Sequence, residues 1–243
     1  MNAVITAGGR IDGAYAAAAG TAIKALAPVR GAPMIERVVE AVRGAGIDRI
    51  AMVGPAAVRD ACAERVDRFI DEGVSGSQNV QLALRSWPDD EPLLYVTSDL
   101  PYITADALRD AVLRTTAGVL TMPVAECDAF ERRFPDAPPF GITLAGERIV
   151  NAGVFVIPAG ASMAIARRAA QLFDARKAPL QMAGLVGPSF LLRMLFRRLT
   201  IAAIEKRAWR VLGYPAMALR GCAPELAYDA DTYAEYRYAT TRA

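Results

Sequence analysis

Short apolar runs alternate along the chain with stretches whose apolar residues recur at helical spacing, the pattern of βαβ units wound about a parallel sheet. Val4 to Thr6 reads as a first strand. Pro33 opens a helix with Met34, Val38, Val39 and Val42 at helical spacing, and Gly44 with Gly46 ends it. Ile50 to Val53 is a second strand, a helix spans about Ala57 to Arg65, and Phe69 with Ile70 makes a short third strand. A helix is expected from Ser77 to about Arg85, then buried strands at Leu93 to Thr97 and Val119 to Val124. Ile142 to Leu144 and Val150 to Ile157 pattern as a hairpin turning near Gly146, and here the alternation becomes less regular. The chain is then mostly helical from Ser162 to about Arg207, with a last strand near Met217 to Leu219 and a terminal helix after Asp231.

This order predicts an α/β fold, a Rossmann-like three-layer sandwich with a mostly parallel central sheet. No internal repeat and no linker rich in Gly, Pro or Ser interrupts it, so one domain over residues 1–243 is expected. An apolar fraction of 53% supplies a sizeable core and sets extensive disorder aside. With 28 basic against 26 acidic residues, no overall field recruits nucleic acid or an anionic membrane, and neither is expected as a partner. Between Ser162 and Arg207, Arg167, Arg168, Arg193, Arg197 and Arg198 stand among Leu, Met and Phe. Such a basic amphipathic stretch suits a membrane surface, but helices packed on the sheet with solvated Arg faces are the plainer expectation.

Cys62, Cys127 and Cys222 are widely spaced, which fits neither a disulfide framework nor a zinc site and suits a reducing cytoplasm. The opening residues show neither a cleavage pattern nor an apolar run long enough to span a bilayer, so secretion and membrane spanning are not expected. The chain contains no histidine, which removes the commonest general base and the usual catalytic zinc sites. What remains is carboxylates, Lys, Arg and metal ions, an inventory suited to phosphoryl-group transfer, where positioning and charge neutralisation matter most.

The first strand runs into Ala7, Gly8, Gly9 and Arg10, small residues that let backbone N–H groups approach phosphate oxygens, with an Arg able to clamp them. The segment Lys24 to Pro33 sets one Lys among apolar residues ahead of a Gly-x-Pro helix entry. Strand Leu93 to Thr97 ends in Ser98, Asp99, Leu100 and Pro101, where ligands of open α/β sheets gather. Near the end of the chain stand Asp229, Ala230, Asp231 and Thr232.

Together these segments resemble the molybdenum-cofactor nucleotidyltransferase-like family of NTP transferase domains. The resemblance implies a nucleotide-diphospho-sugar transferase fold, with a nucleotide-binding half over about 1–125 and an acceptor-side half over about 126–243. It implies magnesium-dependent transfer of a nucleoside monophosphate from a nucleoside triphosphate to a small phosphorylated or anionic acceptor. Lys24, Arg10 and Asp99 are then the catalytic residues, Asp99 and Asp229 the metal ligands, and Ala7, Gly8 and Gly9 the phosphate loop. Asp231 is expected to cap the last helix instead. The polar segment Glu72 to Val80 is similar to the family's base-recognition loop, where Ser77 is the candidate side chain. Asn151, Ala152 and Gly153 match its acceptor or sugar side. Residues Phe130 to Phe140, with Pro135, Pro138 and Pro139, are expected as an acceptor-side loop.

The chain departs from the family's spacing between Gly9 and Lys24, where several extra residues, mostly Ala, intervene and Gly13 stands where an Arg is usual. Either Ala14 to Ala19 form a lid over the triphosphate or Arg10 takes the missing Arg's role. Two other functions fit parts of the pattern. A nucleotide-sugar glycosyltransferase would use Asp229-Ala230-Asp231 as its metal motif, and a catalytically silent nucleotide-binding domain would tolerate the irregular Gly loop. Acceptor identity, the choice of triphosphate and the oligomeric state are not legible.

Overall fold

The computed structural model describes residues 1–176 and 178–242. In chain order it consists of β1 (Asn2–Thr6), α1 (Gly13–Ala19), β2 (Pro28–Val29), β3 (Ala32–Pro33), α2 (Met34–Gly44), β4 (Ile50–Gly54), α3 (Ala56–Cys62), β5 (Arg68–Asp71), α4 (Gly76–Leu84) and β6 (Leu93–Thr97). There follow α5 (Ala105–Leu113), β7 (Leu120–Glu126), α6 (Cys127–Arg133), β8 (Ile142–Leu144), β9 (Glu147–Asn151), β10 (Val154–Ile157), α7 (Ser162–Ala175), α8 (Pro179–Val186), α9 (Pro188–Leu195), α10 (Ile201–Leu212), β11 (Ala216–Leu219) and α11 (Tyr233–Thr241).

One nine-stranded sheet runs β5-β4-β1-β6-β10-β7-β9-β8, and β11 joins it beside β7. The pairings β5 with β4, β4 with β1, β1 with β6 and β11 with β7 are parallel, and only β10 and β9 run against the rest. The architecture is therefore the expected mostly parallel α/β sandwich. Its layers follow from strand alternation. Ala3 and Ile5 of β1, with Ile50 and Met52 of β4, face the core shared with Val38 and Val42 of α2 and Leu108 of α5. Val4, Ala51 and Val53 face the opposite core, built with Val80 and Ala83 of α4 and Ile165 and Ala166 of α7.

Three expectations are corrected. Val150 to Ile157 is not one strand but two, because the chain breaks at Ala152 and Gly153 and changes neighbours, β9 pairing with β7 and β10 filling the gap between β6 and β7. A Cβ on Gly153 would collide with Thr97 and Leu100, so only glycine permits this crossing beside the end of β6. Phe130 to Phe140 is not an open loop, since α6 covers its first part and Phe130, Phe134 and Phe140 pack around buried Tyr228. The long helical stretch packs on the sheet only in part. Helix α7 buries Ile165, Ala166 and Ala170, whereas α9 buries no residue at all.

Candidate active site

A cavity of about 980 Å³ opens at the carboxyl ends of β1, β5 and β6, where the parallel strands hand the chain to their loops. Its walls include Gly8, Gly9, Arg10 and Lys24, the Glu72 to Gly76 segment, Asp99, Asn151 with Gly153, and Asp229 with Asp231. Of the residues expected to contact nucleotide, Ala7 and Ser77 stand outside this lining. Ala7 is fully buried and donates its N–H to the Val53 carbonyl at 2.8 Å, so it continues the β1 ladder beneath the loop. Ser77 is buried with its Oγ 3.0 Å from that of Ser75. The cap of α4 is Ser75, not Ser77, through its hydroxyl accepting from the Gln78 N–H.

Gly8 is required by close approach. A Cβ there would lie 2.5 Å from Asn79 Nδ2 and 2.8 Å from Glu72 Oε2. The Asn79 side chain in turn accepts from the Gly73 N–H at 2.8 Å, tying the glycine loop to the adjacent polar loop. Glu72 also pairs with the Arg10 guanidinium, which donates to the Gly8 carbonyl at 2.8 Å. Glu72 and Asn79 belong to the segment expected to read the base, and the fold also brings both against Gly8.

The extra residues after Gly9 are tied off at their base. The Lys24 N–H donates to the Gly9 carbonyl at 3.0 Å, Ile11 N–H donates to the Ala22 carbonyl at 3.0 Å, and Arg10 bridges Ile23. The insertion thus leaves Lys24 beside Gly9 whatever its own length. Its helix α1 contributes nothing to the cavity lining and packs instead on α11, with Tyr15 stacked on Tyr236 at 4.7 Å. The Tyr15 hydroxyl donates to the Ala230 carbonyl at 2.9 Å, and the Ala230 N–H donates to the Asp99 carbonyl at 3.0 Å. The insertion is therefore a buttress beneath the Asp229 to Asp231 loop rather than a lid.

Lys24, Asp99, Asp229 and Asp231 form the electrostatic centre. Lys24 Nζ lies 2.6 Å from Asp99 Oδ2 and also pairs with Asp231. Asp231 does not cap the last helix, because Thr232 does so in a capping box with Glu235. That Thr-x-x-Glu spacing was visible in the sequence and would have released Asp231 for the cavity. Burial alone would lower the Lys24 pKa, but Asp99 and Asp231 outweigh it and hold the ammonium above its ordinary value. Burial likewise works to raise Asp99, and Lys24 overrides it and keeps the carboxylate below the usual range. Among the described residues no cation pairs with Asp229, and Lys24 is taken by Asp99 and Asp231. Burial first, then Asp231, Asp99 and Glu235, pushes the Asp229 pKa up to about 7.

These residues fit a hard divalent cation. Asp99 Oδ1 is buried without a hydrogen-bond partner, and the Asp229 carboxylate is crowded by Asp231, Asp99 and Glu235. Among the described residues no group of three or more His, Cys, Asp or Glu closes around one point. Phe173 and Arg176 of the α7 end complete the wall near Gly76, with the guanidinium over the Phe173 ring. No motif announced them.

A family profile described as a MobA-like NTP transferase domain matches residues 3–232. A hypothetical transferase of Thermus thermophilus is similar over 97% of this chain and 98% of its own, with 29% identity and a TM-score of 0.84. A nucleotidyl transferase from Methanothermobacter has the same fold, with a TM-score of 0.56 at 18% identity over 99% of this chain and 96% of its own. The bifunctional protein GlmU of Cupriavidus pinatubonensis is 28% identical over 155 residues, which make up 56% of this chain and 34% of that protein. The chain therefore spans about a third of the length of that curated relative.

Proposed function

This chain belongs to the MobA-like NTP transferase domain family, and on that premise we propose that it transfers a nucleoside monophosphate from a nucleoside triphosphate to a small anionic acceptor. The acceptor oxygen forms a bond to the α-phosphorus as the bond to the β-phosphate oxygen breaks, and pyrophosphate leaves. The observation that carries this reading is the Lys24 ammonium, 2.6 Å from Asp99 at the end of β6 and set directly beside the glycine loop. A cation fixed by carboxylates next to open backbone N–H groups suits charge developing on phosphate oxygens.

The Gly8 and Gly9 backbone receives the triphosphate, and Lys24 neutralises charge on it. Arg10 exchanges Glu72 for phosphate oxygens and stands in for the Arg absent at Gly13. The Glu72 to Gly76 loop faces the base, with Ser75 and Asn79, rather than Ser77, as its polar contacts at the cavity. Asn151 and Gly153 mark the acceptor side. Asp99 and Asp229 would hold magnesium, which when bound supplies charge neutralisation and orients the phosphates. On this reading residues 1–125 form the nucleotide half and 126–243 the acceptor half. Its three free, buried cysteines suit a reducing compartment, and we place the reaction in the cytoplasm.

A thermal-shift panel of GTP, CTP, ATP and UTP, with GDP-mannose and UDP-glucose alongside, each with and without magnesium, tests the proposal, because a ligand that binds only the folded state raises the melting point. One triphosphate is expected to shift it strongly and only with magnesium. A shift confined to nucleotide sugars would assign the site to a glycosyltransferase, and no shift at all would leave a domain without transfer chemistry.

A further inference from the structure

Helices α8, α9 and α10 carry an outward surface that the transfer reaction does not use. Helix α9 has one apolar side turned inward, where Phe190 packs with Leu199, Ile201 and Ile204 against Val124 and Met122 of β7. It has a second apolar side as well. Leu195 and the capping Phe196 lie three and four residues beyond Leu192, so both neighbour it on one face. That face is open, with Leu195 exposed at 74% and Phe196 at 66%. Leu180 of α8 and Trp209 of α10 are exposed on the neighbouring helices.

The same stretch is where the basic charge of the chain collects. Residues 162–212 hold ten Lys and Arg against two Asp and Glu, a local net charge of +8 in a chain whose total is +2. The remainder is accordingly at −6. Arg193, Arg197 and Arg198 are exposed and alternate directly with Leu192, Leu195 and Phe196. A contiguous open apolar face marks an interaction site, and its composition selects the partner. A second copy docking through this face would bring one strongly positive surface against another. A nucleic acid would satisfy the arginines but leave Leu and Phe uncovered. An anionic bilayer satisfies both, because phosphates pair with Arg while the apolar side chains enter the acyl boundary. No helix among the described residues is long and apolar enough to cross the membrane, so the contact is peripheral.

We propose that α8 to α10 form a docking surface for an anionic phospholipid membrane, centred on Leu192, Leu195 and Phe196 and framed by Arg193, Arg197 and Arg198.

Co-sedimentation of the full chain tests this with vesicles of phosphatidylcholine alone and of phosphatidylcholine and phosphatidylglycerol in equal parts. The protein should pellet only with the anionic vesicles and be released as salt rises. R197E/R198E should lower the bound fraction about tenfold or more, since each basic residue near such a surface contributes about a factor of five. L195D/F196D should abolish binding. Both pairs are exposed, so the unfolding midpoint of each variant should match the parent, and a variant that fails this check is replaced by the other. Equal binding to neutral and anionic vesicles, or none to either, overturns the proposal. So does a dimer in sedimentation velocity that L195D/F196D dissolves, or selective capture of single-stranded RNA in place of vesicles.

Discussion

Lys24 and Arg10 line the same cavity, and each is ion-paired with carboxylate, yet they are built for different work. Lys24 is 13% exposed and lies between Asp99 and Asp231, so both its charge and its position are fixed before any ligand arrives. Arg10 is 49% exposed and rests on Glu72 and the Gly8 carbonyl, contacts that water or a phosphate can replace. A buried cation among carboxylates holds a charge distribution in place, whereas an exposed pair of the same chemistry is a contact waiting for exchange.

The sharpest way to break that contrast is Lys24→Ala. It leaves Asp99, Asp229 and Asp231 facing one another without compensation, so transfer should fall by about a hundredfold to a thousandfold. Without magnesium the variant should also unfold more easily in urea, by about 3 kcal/mol, with magnesium restoring much of the loss. If Lys24→Ala unfolds like the parent with and without magnesium, the centre is not organised by Lys24.

The pH dependence of the magnesium-free protein follows from Asp229. Its pKa rises from 3.8 to about 7 on folding, so the folded state holds the proton more tightly than the unfolded one. The stability this gives is complete below about pH 4 and is lost as pH climbs through 7. Urea denaturation across that window should show the decline, and Asp229→Asn should flatten it. A decline that survives in Asp229→Asn would place the titration elsewhere.

Arg10→Ala should be milder. Triphosphate affinity should drop about tenfold for the loss of a charged hydrogen bond, while stability shifts by less than about 1 kcal/mol, as for other exposed pairs. Calorimetry with the preferred triphosphate separates the two, and a large stability loss would show that Arg10 is structural like Lys24. Smallest of all is Tyr15→Phe, which removes the bond to the Ala230 carbonyl at a cost of about 1 kcal/mol. Because that bond supports the Asp229 to Asp231 loop, the magnesium concentration for half-maximal activity should rise modestly with kcat nearly unchanged. A change in triphosphate affinity alone would instead return the insertion to the lid role.

The parts of the site that sequence displayed were those in which one local feature carries the signal. Gly8 and Gly9 follow an apolar strand, and Asp99 ends another, so strand periodicity placed both at the same edge of the sheet. What stayed hidden depends on distant partners. Lys24 and Asp231 are 207 positions apart, and nothing near either residue announces their pairing. Asp231 resembles a helix cap by its position, but the neighbouring Thr232 with Glu235 forms the capping box that occupies that role. Likewise, Phe130 and Phe134 resembled loop residues, since the Tyr228 ring that buries them lies far along the chain. The run from Val150 to Ile157 concealed its break because Val150 and most of β10 are buried alike on either side of it, and periodicity cannot register a change of neighbours.

The most direct test of the central claim is isothermal titration of the preferred triphosphate into the parent and Asp99→Asn, each with and without magnesium. The account predicts tight binding by the parent only with magnesium, and for Asp99→Asn an unchanged fold with the magnesium dependence lost. Equal binding by both proteins, indifferent to magnesium, would contradict a carboxylate-held metal at the end of β6 and with it the proposed transfer chemistry.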